Sequence, residues 1–153
     1  MKYSLDTSAL LDGWVRYYPP TVFPTIWSNI EALIVDGELK ASVEVLNDLK
    51  KKDDEVYKWA NAQSEMFLPL DAATQKAVST ILFKHPRLVD TRKSRSVSDP
   101  FVIATASVNG AAVVTSELPS GNIQKPKIPD VCLAENISCI TLLQLFLAEG
   151  WRI

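Results

Sequence analysis

Two kinds of apolar patterning share this chain. Short runs at Tyr3 to Leu5, Leu39 to Ala41, Ala111 to Thr115 and Cys139-Ile140 lack the regular polar alternation of a half-exposed strand. Strands read this way when a parallel sheet is covered on both faces. Between these runs, apolar positions recur at helical spacing. From Ala9 to Tyr18, Leu10, Leu11, Trp14 and Val15 share one face, and Pro19-Pro20 stops the helix. A second helix follows Pro24, with Ile26, Trp27, Ile30, Leu33 and Ile34 on its stripe and Gly37 as its C′ residue. Ser42 caps a third, which carries Val43, Val45, Leu46 and Leu49. Beyond the charged turn Lys50-Lys51-Lys52-Asp53-Asp54, a further helix carries Val56, Tyr57, Trp59 and Ala60. Asp71 opens another that ends near His85-Pro86, and residues 86–98 read as a polar loop. Asp99-Pro100 opens the most apolar helix of the chain, closed by Asn109-Gly110. A short helix from Pro129 and a terminal helix from Leu142 to Glu149 complete the series. Strands alternating with helices predict an α/β fold, a three-layer α/β/α sandwich around a mostly parallel sheet of four or five short strands.

Composition narrows the field without naming a function. The chain has 153 residues, 47% hydrophobic and 22% charged, with no internal repeat or low-complexity linker. One globular domain over residues 1–153 is expected. A net charge of −2 and a pI of 5.4 provide no global basic field. A nucleic-acid partner would therefore be held by a local patch or by metal ions. Cys132 and Cys139 match no zinc or redox spacing, so free thiols are expected. The N-terminus lacks the pattern of a secretory leader, and no apolar run reaches the ~18 residues that suggest a membrane span. A soluble, cytoplasmic protein is the expectation.

The carboxylates change the picture. If the strands are parallel, their C-terminal ends share one edge, the edge at which open α/β sheets bind ligands. Asp6 ends the first strand, Ser116 and Glu117 follow the strand 111–115, and Asp48 lies six residues beyond Ser42. Asp99 begins a helix whose N-terminus can face the same edge. Like charges gathered there would raise one another's pKa and destabilise the fold. Mg²⁺ or Mn²⁺, which favour carboxylate and water oxygens, would remove the conflict. Such a site, without histidine, suits phosphate-ester cleavage, because the metal activates water and neutralises charge on the transferring phosphorus. Each acid also has a blander explanation. Asp99 before Pro100 fits an N-cap, Asp6 before Thr7-Ser8 fits another, and Glu117 fits a solvated loop.

The motifs carrying these acids resemble those of a known family. Ser4-Leu5-Asp6-Thr7-Ser8-Ala9-Leu10, Val45-Leu46-Asn47-Asp48-Leu49, Ser98 to Ala106 and Val113-Val114-Thr115-Ser116-Glu117 resemble the four acidic motifs of PIN-domain ribonucleases. Asp53-Asp54-Glu55 with Trp59, and Lys127 to Cys132, resemble blocks of a PIN-like subfamily of the DUF4411 type. The resemblance covers nearly the whole chain. It implies a PIN-like fold and Mg²⁺- or Mn²⁺-dependent endonucleolytic cleavage of RNA that leaves a 5′-phosphate and a 3′-hydroxyl. It also implies the toxin half of a toxin–antitoxin pair, with a small antitoxin as partner and a homodimer as a possible assembly. Carried over position by position, Asp6, Asp48, Asp99 and Glu117 hold the metals. Thr7, and Thr115 or Ser116, match hydroxyls that bond carboxylates or the attacking water. In two places the chain departs from the pattern. The second acid is usually glutamate, so Glu44, one turn before Asp48, competes with it, and Asp48 is favoured by its distance from Ser42. The fourth acid is Glu117 where many relatives carry aspartate.

Lys84, Arg87, Arg92, Lys93 and Arg95, against the single acid Asp90, form the only basic concentration. Arg92, Lys93 and Arg95, nearest to Asp99, are the candidate contacts to an RNA backbone, with a solvated loop as the alternative. His85 reads as a helix-end residue rather than a catalytic base, and the tryptophans read as core. Two other functions stay open. One is a degenerate PIN-like module that binds RNA or protein without cutting. The other is a phosphatase, against which Asp6-Thr7-Ser8 counts because it lacks the second acid of an Asp-x-Asp pair.

Overall fold

The computed structural model describes residues 1–89, 97–122 and 124–153, with the backbone alone at Asp54. Five parallel strands form one sheet: β1 (Tyr3–Leu5), β2 (Leu39–Ser42), β3 (Phe67–Leu68), β4 (Ala112–Val114) and β5 (Cys139–Ile140), in the order β3-β2-β1-β4-β5. The central strand β1 pairs Tyr3 with Leu39 on one side and with Ala112 on the other. All three of its residues are buried, as the absence of polar alternation requires.

Helices cover the sheet on both faces. The helix α1 (Thr7–Asp12) follows β1 and runs into a π-helical turn (Gly13–Tyr17), so the expected helix 9–18 starts earlier and changes pitch. Next come α2 (Pro24–Val35), then α3 (Val43–Lys52) and α4 (Asp54–Ala62) after β2, and α5 (Ala72–Lys84) after β3. The remaining helices are α6 (Asp99–Asn109), α7 (Ile128–Ala134) and α8 (Leu142–Ala148). The Ser4 hydroxyl donates to the Val102 carbonyl of α6, which fixes the face that α6 covers. α5 packs along α6. Tyr3 and Leu5 point to the opposite face, because strand side chains alternate. Trp14, Trp27 and Trp59 pack edge-on or tilted with ring centroids 4.8–5.6 Å apart, and Trp27 is 4% exposed. Trp27 lies in the core, and Trp14 and Trp59 pack against it part-buried.

Caps and stops follow the sequence signals. Ser42 accepts from the Glu44 amide, Asp53 from Glu55 and Val56, and Asp71 from Thr74. Gly37 and Gly110 close α2 and α6 at φ of 73° and 62°, conformations that cost glycine little. His85 ends α5, and its Nε2 lies 2.8 Å from Glu135. β3 is absent from the sequence expectation. Among the described residues no helix is long and apolar enough to cross a membrane.

Candidate functional site

Because the strands are parallel, residues that leave their C-terminal ends meet at one edge. Asp6 leaves β1 and Thr115 leaves β4, and the Asp6 amide donates to the Val114 carbonyl at 2.9 Å. Asp6 is 2% exposed. It stands at the N-cap position of α1, yet its side chain makes no capping hydrogen bond. Instead its Oδ2 accepts from the Ser8 hydroxyl at 2.5 Å and the Thr115 hydroxyl at 2.8 Å. Ser8 and Thr115 also lie 3.1 Å apart, oxygen to oxygen. The Ser116 amide donates to Ser8 Oγ, and the Glu117 amide to Thr115 Oγ1.

Asp48 is held in the same manner. Its Oδ2 accepts from Ser98 Oγ at 2.5 Å and Thr7 Oγ1 at 3.3 Å. Thr7 is the chain neighbour of Asp6, and Ser98 that of Asp99. The α3 acid is thereby tied to both the β1 edge and the start of α6. Among the described residues the Glu44 side chain takes no part in this network, and its backbone amide bonds Ser42. Asp99 is buried, but it does not cap α6. Ser98 occupies the N-cap position, and Asp99 is the first helical residue, followed by Pro100. Glu117 is partly buried, and its Oε2 accepts from the Ile128 amide at the start of α7 at 3.0 Å. The basic candidates Arg92, Lys93 and Arg95 lie outside the described residues.

Burial pushes the Asp6 carboxyl up to about 6, against the opposing pull of the Ser8 and Thr115 hydroxyls, and the charge of Glu117 pushes it further. Among the described residues, none of Asp6, Asp48 and Glu117 enters an ion pair. Among the described residues, Asp6, Asp48 and Glu117 therefore have no cationic side chain to offset them. Nor do three Asp, Glu, His or Cys side chains among the described residues stand together as a ready-made metal shell. The donor chemistry nonetheless fits a hard divalent cation. Every candidate ligand is an oxygen, the donor type that Mg²⁺ and Mn²⁺ prefer, and Mg²⁺ commonly keeps several waters beside one or two carboxylates.

The acids and Thr115 are candidates from the sequence alone, whereas Ser8 and Ser98 gain their roles from the structure. Their signal lay in the motifs, each being a hydroxyl within two residues of a candidate acid.

Residues 3–153 match the family described as a domain of unknown function, DUF4411, and the chain belongs to that family. No curated protein matches it. Among solved structures it is similar to the crystal structure of FitAcB from Neisseria gonorrhoeae, at 13% identity and a TM-score of 0.55. The match covers 92% of this chain and 98% of that one. At that identity the likeness is one of fold, the α/β/α sandwich with its parallel sheet.

Proposed function

We propose that this DUF4411-family protein is a metal-dependent endoribonuclease that hydrolyses RNA phosphodiesters with Mg²⁺ or Mn²⁺, and that it is the toxin of a toxin–antitoxin pair. One observation carries the nuclease reading. Asp6 is buried at the C-terminal edge of a parallel sheet, its pKa raised to about 6, with Glu117 adding to its cost and no ion pair to either among the described residues. A fold keeps so costly a carboxylate where a ligand offsets it. Sequence resemblance supports the RNA substrate, the small antitoxin partner and a homodimer.

In this reading Asp6, Asp48, Asp99 and Glu117 hold the cation. Once bound, it activates a water and neutralises charge on the transferring phosphorus. The chain's own residues orient the acids. Ser8 and Thr115 fix Oδ2 of Asp6, and Thr7 and Ser98 fix Oδ2 of Asp48. Hydrogen bonds of this kind limit a carboxylate's rotation and fix the oxygen that a cation would meet. The Ile128 amide does the same for Glu117. Arg92, Lys93 and Arg95 supply sequence-independent contacts to the phosphate backbone.

Asp6→Asn and Asp99→Asn test the site. Both are expected to abolish cleavage while circular dichroism and gel filtration remain those of the wild type. Full activity in both variants would sink the proposal. A second reading, a non-cutting RNA- or protein-binding module, is favoured by the lack of a ready-made three-residue shell among the described residues. RNA retention that chelator leaves unchanged, with weak Mn²⁺ binding, would support that module over the enzyme.

A further inference from the structure

Glu117 stands in a loop, and the described residues between β4 and α7 form no helix or strand. Of the hydrogen bonds that hold the loop, four converge on one carboxylate of α7. Asp130 accepts on Oδ2 from the Ser120 amide at 3.0 Å, the Ser120 hydroxyl at 2.8 Å and the Lys127 amide at 2.7 Å. On Oδ1 it accepts from the Gly121 amide at 3.1 Å. The outgoing limb of the loop and the returning limb are thus fastened to the same side chain. Gly121 has φ of 64°, a left-handed conformation that favours glycine at the turn.

Helix capping accounts for one of these bonds. A first-turn acid that bonds the N-cap amide is an ordinary capping interaction, and Asp130 to Lys127 has that form. The other three reach back across the loop, which a cap does not require. Partial burial works against the Asp130 charge, yet the Lys127, Ser120 and Gly121 donors hold its pKa down to about 2. It stays ionised at any working pH. Next to this clasp, the Ile128 amide is presented to Oε2 of Glu117.

We infer that Asp130 is a positioning residue for Glu117: by fastening Ser120, Gly121 and Lys127 to the first turn of α7, it holds Glu117 against the Ile128 amide and so at the acidic site. The inference rests on the reading of Glu117 as a site acid. Asp130 itself touches neither substrate nor cation.

The test is a double-mutant cycle of Glu117→Gln and Asp130→Asn on the full chain, read by Mn²⁺ affinity in an electron paramagnetic resonance titration and by RNA cleavage. Thermal midpoints are measured alongside. Asp130→Asn is expected to weaken Mn²⁺ binding about tenfold, the lower end for outer-shell partners of metal ligands. It should lower kcat with KM for RNA little changed. The double variant should bind Mn²⁺ no worse than Glu117→Gln alone, because once the carboxylate is gone its placement has nothing to act on. Ser120→Ala, which removes one arm of the clasp, should shift Mn²⁺ affinity in the same direction by less, in a protein that folds normally. Wild-type Mn²⁺ affinity in Asp130→Asn, or losses that add in the double variant, would overturn the inference and leave the nuclease reading standing. A wild-type protein that neither binds Mn²⁺ nor cuts RNA would overturn both.

Discussion

At the scale of single residues, Asp6 decides the matter, since it stands where a cap would stand and yet does not cap. Its bonds run to Ser8 and Thr115 instead. Its pKa, raised from 3.8 to about 6, fixes the sign of a pH effect. A carboxyl raised in the folded state binds its proton more tightly there than in the unfolded chain. The contribution of Asp6 to stability is therefore greatest below pH ~4, falls as pH rises through about 6, and levels off above. The metal-free protein should lose up to roughly 3 kcal/mol across that window, taking about 1.36 kcal/mol per unit. Asp6→Asn should remove that slope, and Mg²⁺ at pH 7 should restore stability to the wild type alone. Thermal melts at pH 4, 5, 6 and 7 read all of this, and a flat wild-type profile would contradict it. Thr115→Val keeps the shape but removes the hydroxyl. It should lower cleavage by roughly 10–100-fold, as loss of an outer-shell partner does, and cost about 1–3 kcal/mol of stability. The acids themselves were legible from strand ends and helix starts. The choice between Asp48 and Glu44 was harder, and the structure ties Asp48, not Glu44, to the other motifs. Its partners Thr7 and Ser98 lie 41 and 50 residues away along the chain, a pairing that no local pattern encodes.

At the scale of elements, caps and periodicity transmitted most of the fold. Ser42 caps and Asp71 opens a helix as the sequence predicts, Gly37 and Gly110 close helices as expected, and Asp53, read only as part of a charged turn, caps α4. Two features escaped for physical reasons. β3 is only Phe67-Leu68, too short for a period, and it becomes a strand by pairing with Ala41 and Ser42. The π-helical turn begins at Gly13, where a Cβ would meet Leu142 Cδ1 at 2.7 Å, a contact with α8 that lies far away in sequence. The blander alternative for Asp99, an N-cap of α6, is off by one position, because Ser98 takes the N-cap and Pro100 the second helical position. α3 is the element through which Asp48 is aimed. Ser42→Ala, which removes its cap, should cost about 1 kcal/mol, with cleavage reduced far less than by Asp48→Asn. Comparing the denaturation midpoints and rates of the two variants checks this. Equal losses of activity would mean that the α3 cap, rather than the carboxylate, governs the site.

At the scale of the whole molecule, parallel topology does the collecting. Motifs spread from residue 6 to residue 117 meet because Asp6, Asp99 and Glu117 follow strand ends or open a helix at one sheet edge, and Thr7 and Ser98 bond Asp48 of α3 to it. An acidic chain with a net charge of −2 does not attract RNA by its overall field. Binding is assigned to the divalent cation and to Arg92, Lys93 and Arg95. Replacing those three by alanine should weaken RNA binding uniformly across sequences and flatten its salt dependence. Fluorescence anisotropy at several salt concentrations reads this, and an unchanged slope would remove them from the interface. The central claim is that buried carboxylates at this edge serve a cation that cuts RNA. It is tested most directly by incubating one labelled RNA with purified wild-type protein and with Asp6→Asn, each in Mg²⁺, Mn²⁺ and EDTA. Cleavage by the wild type in either metal is predicted, with none in EDTA and none by the variant. Cutting that survives EDTA or Asp6→Asn, or no cutting by the wild type in either metal, would contradict the account.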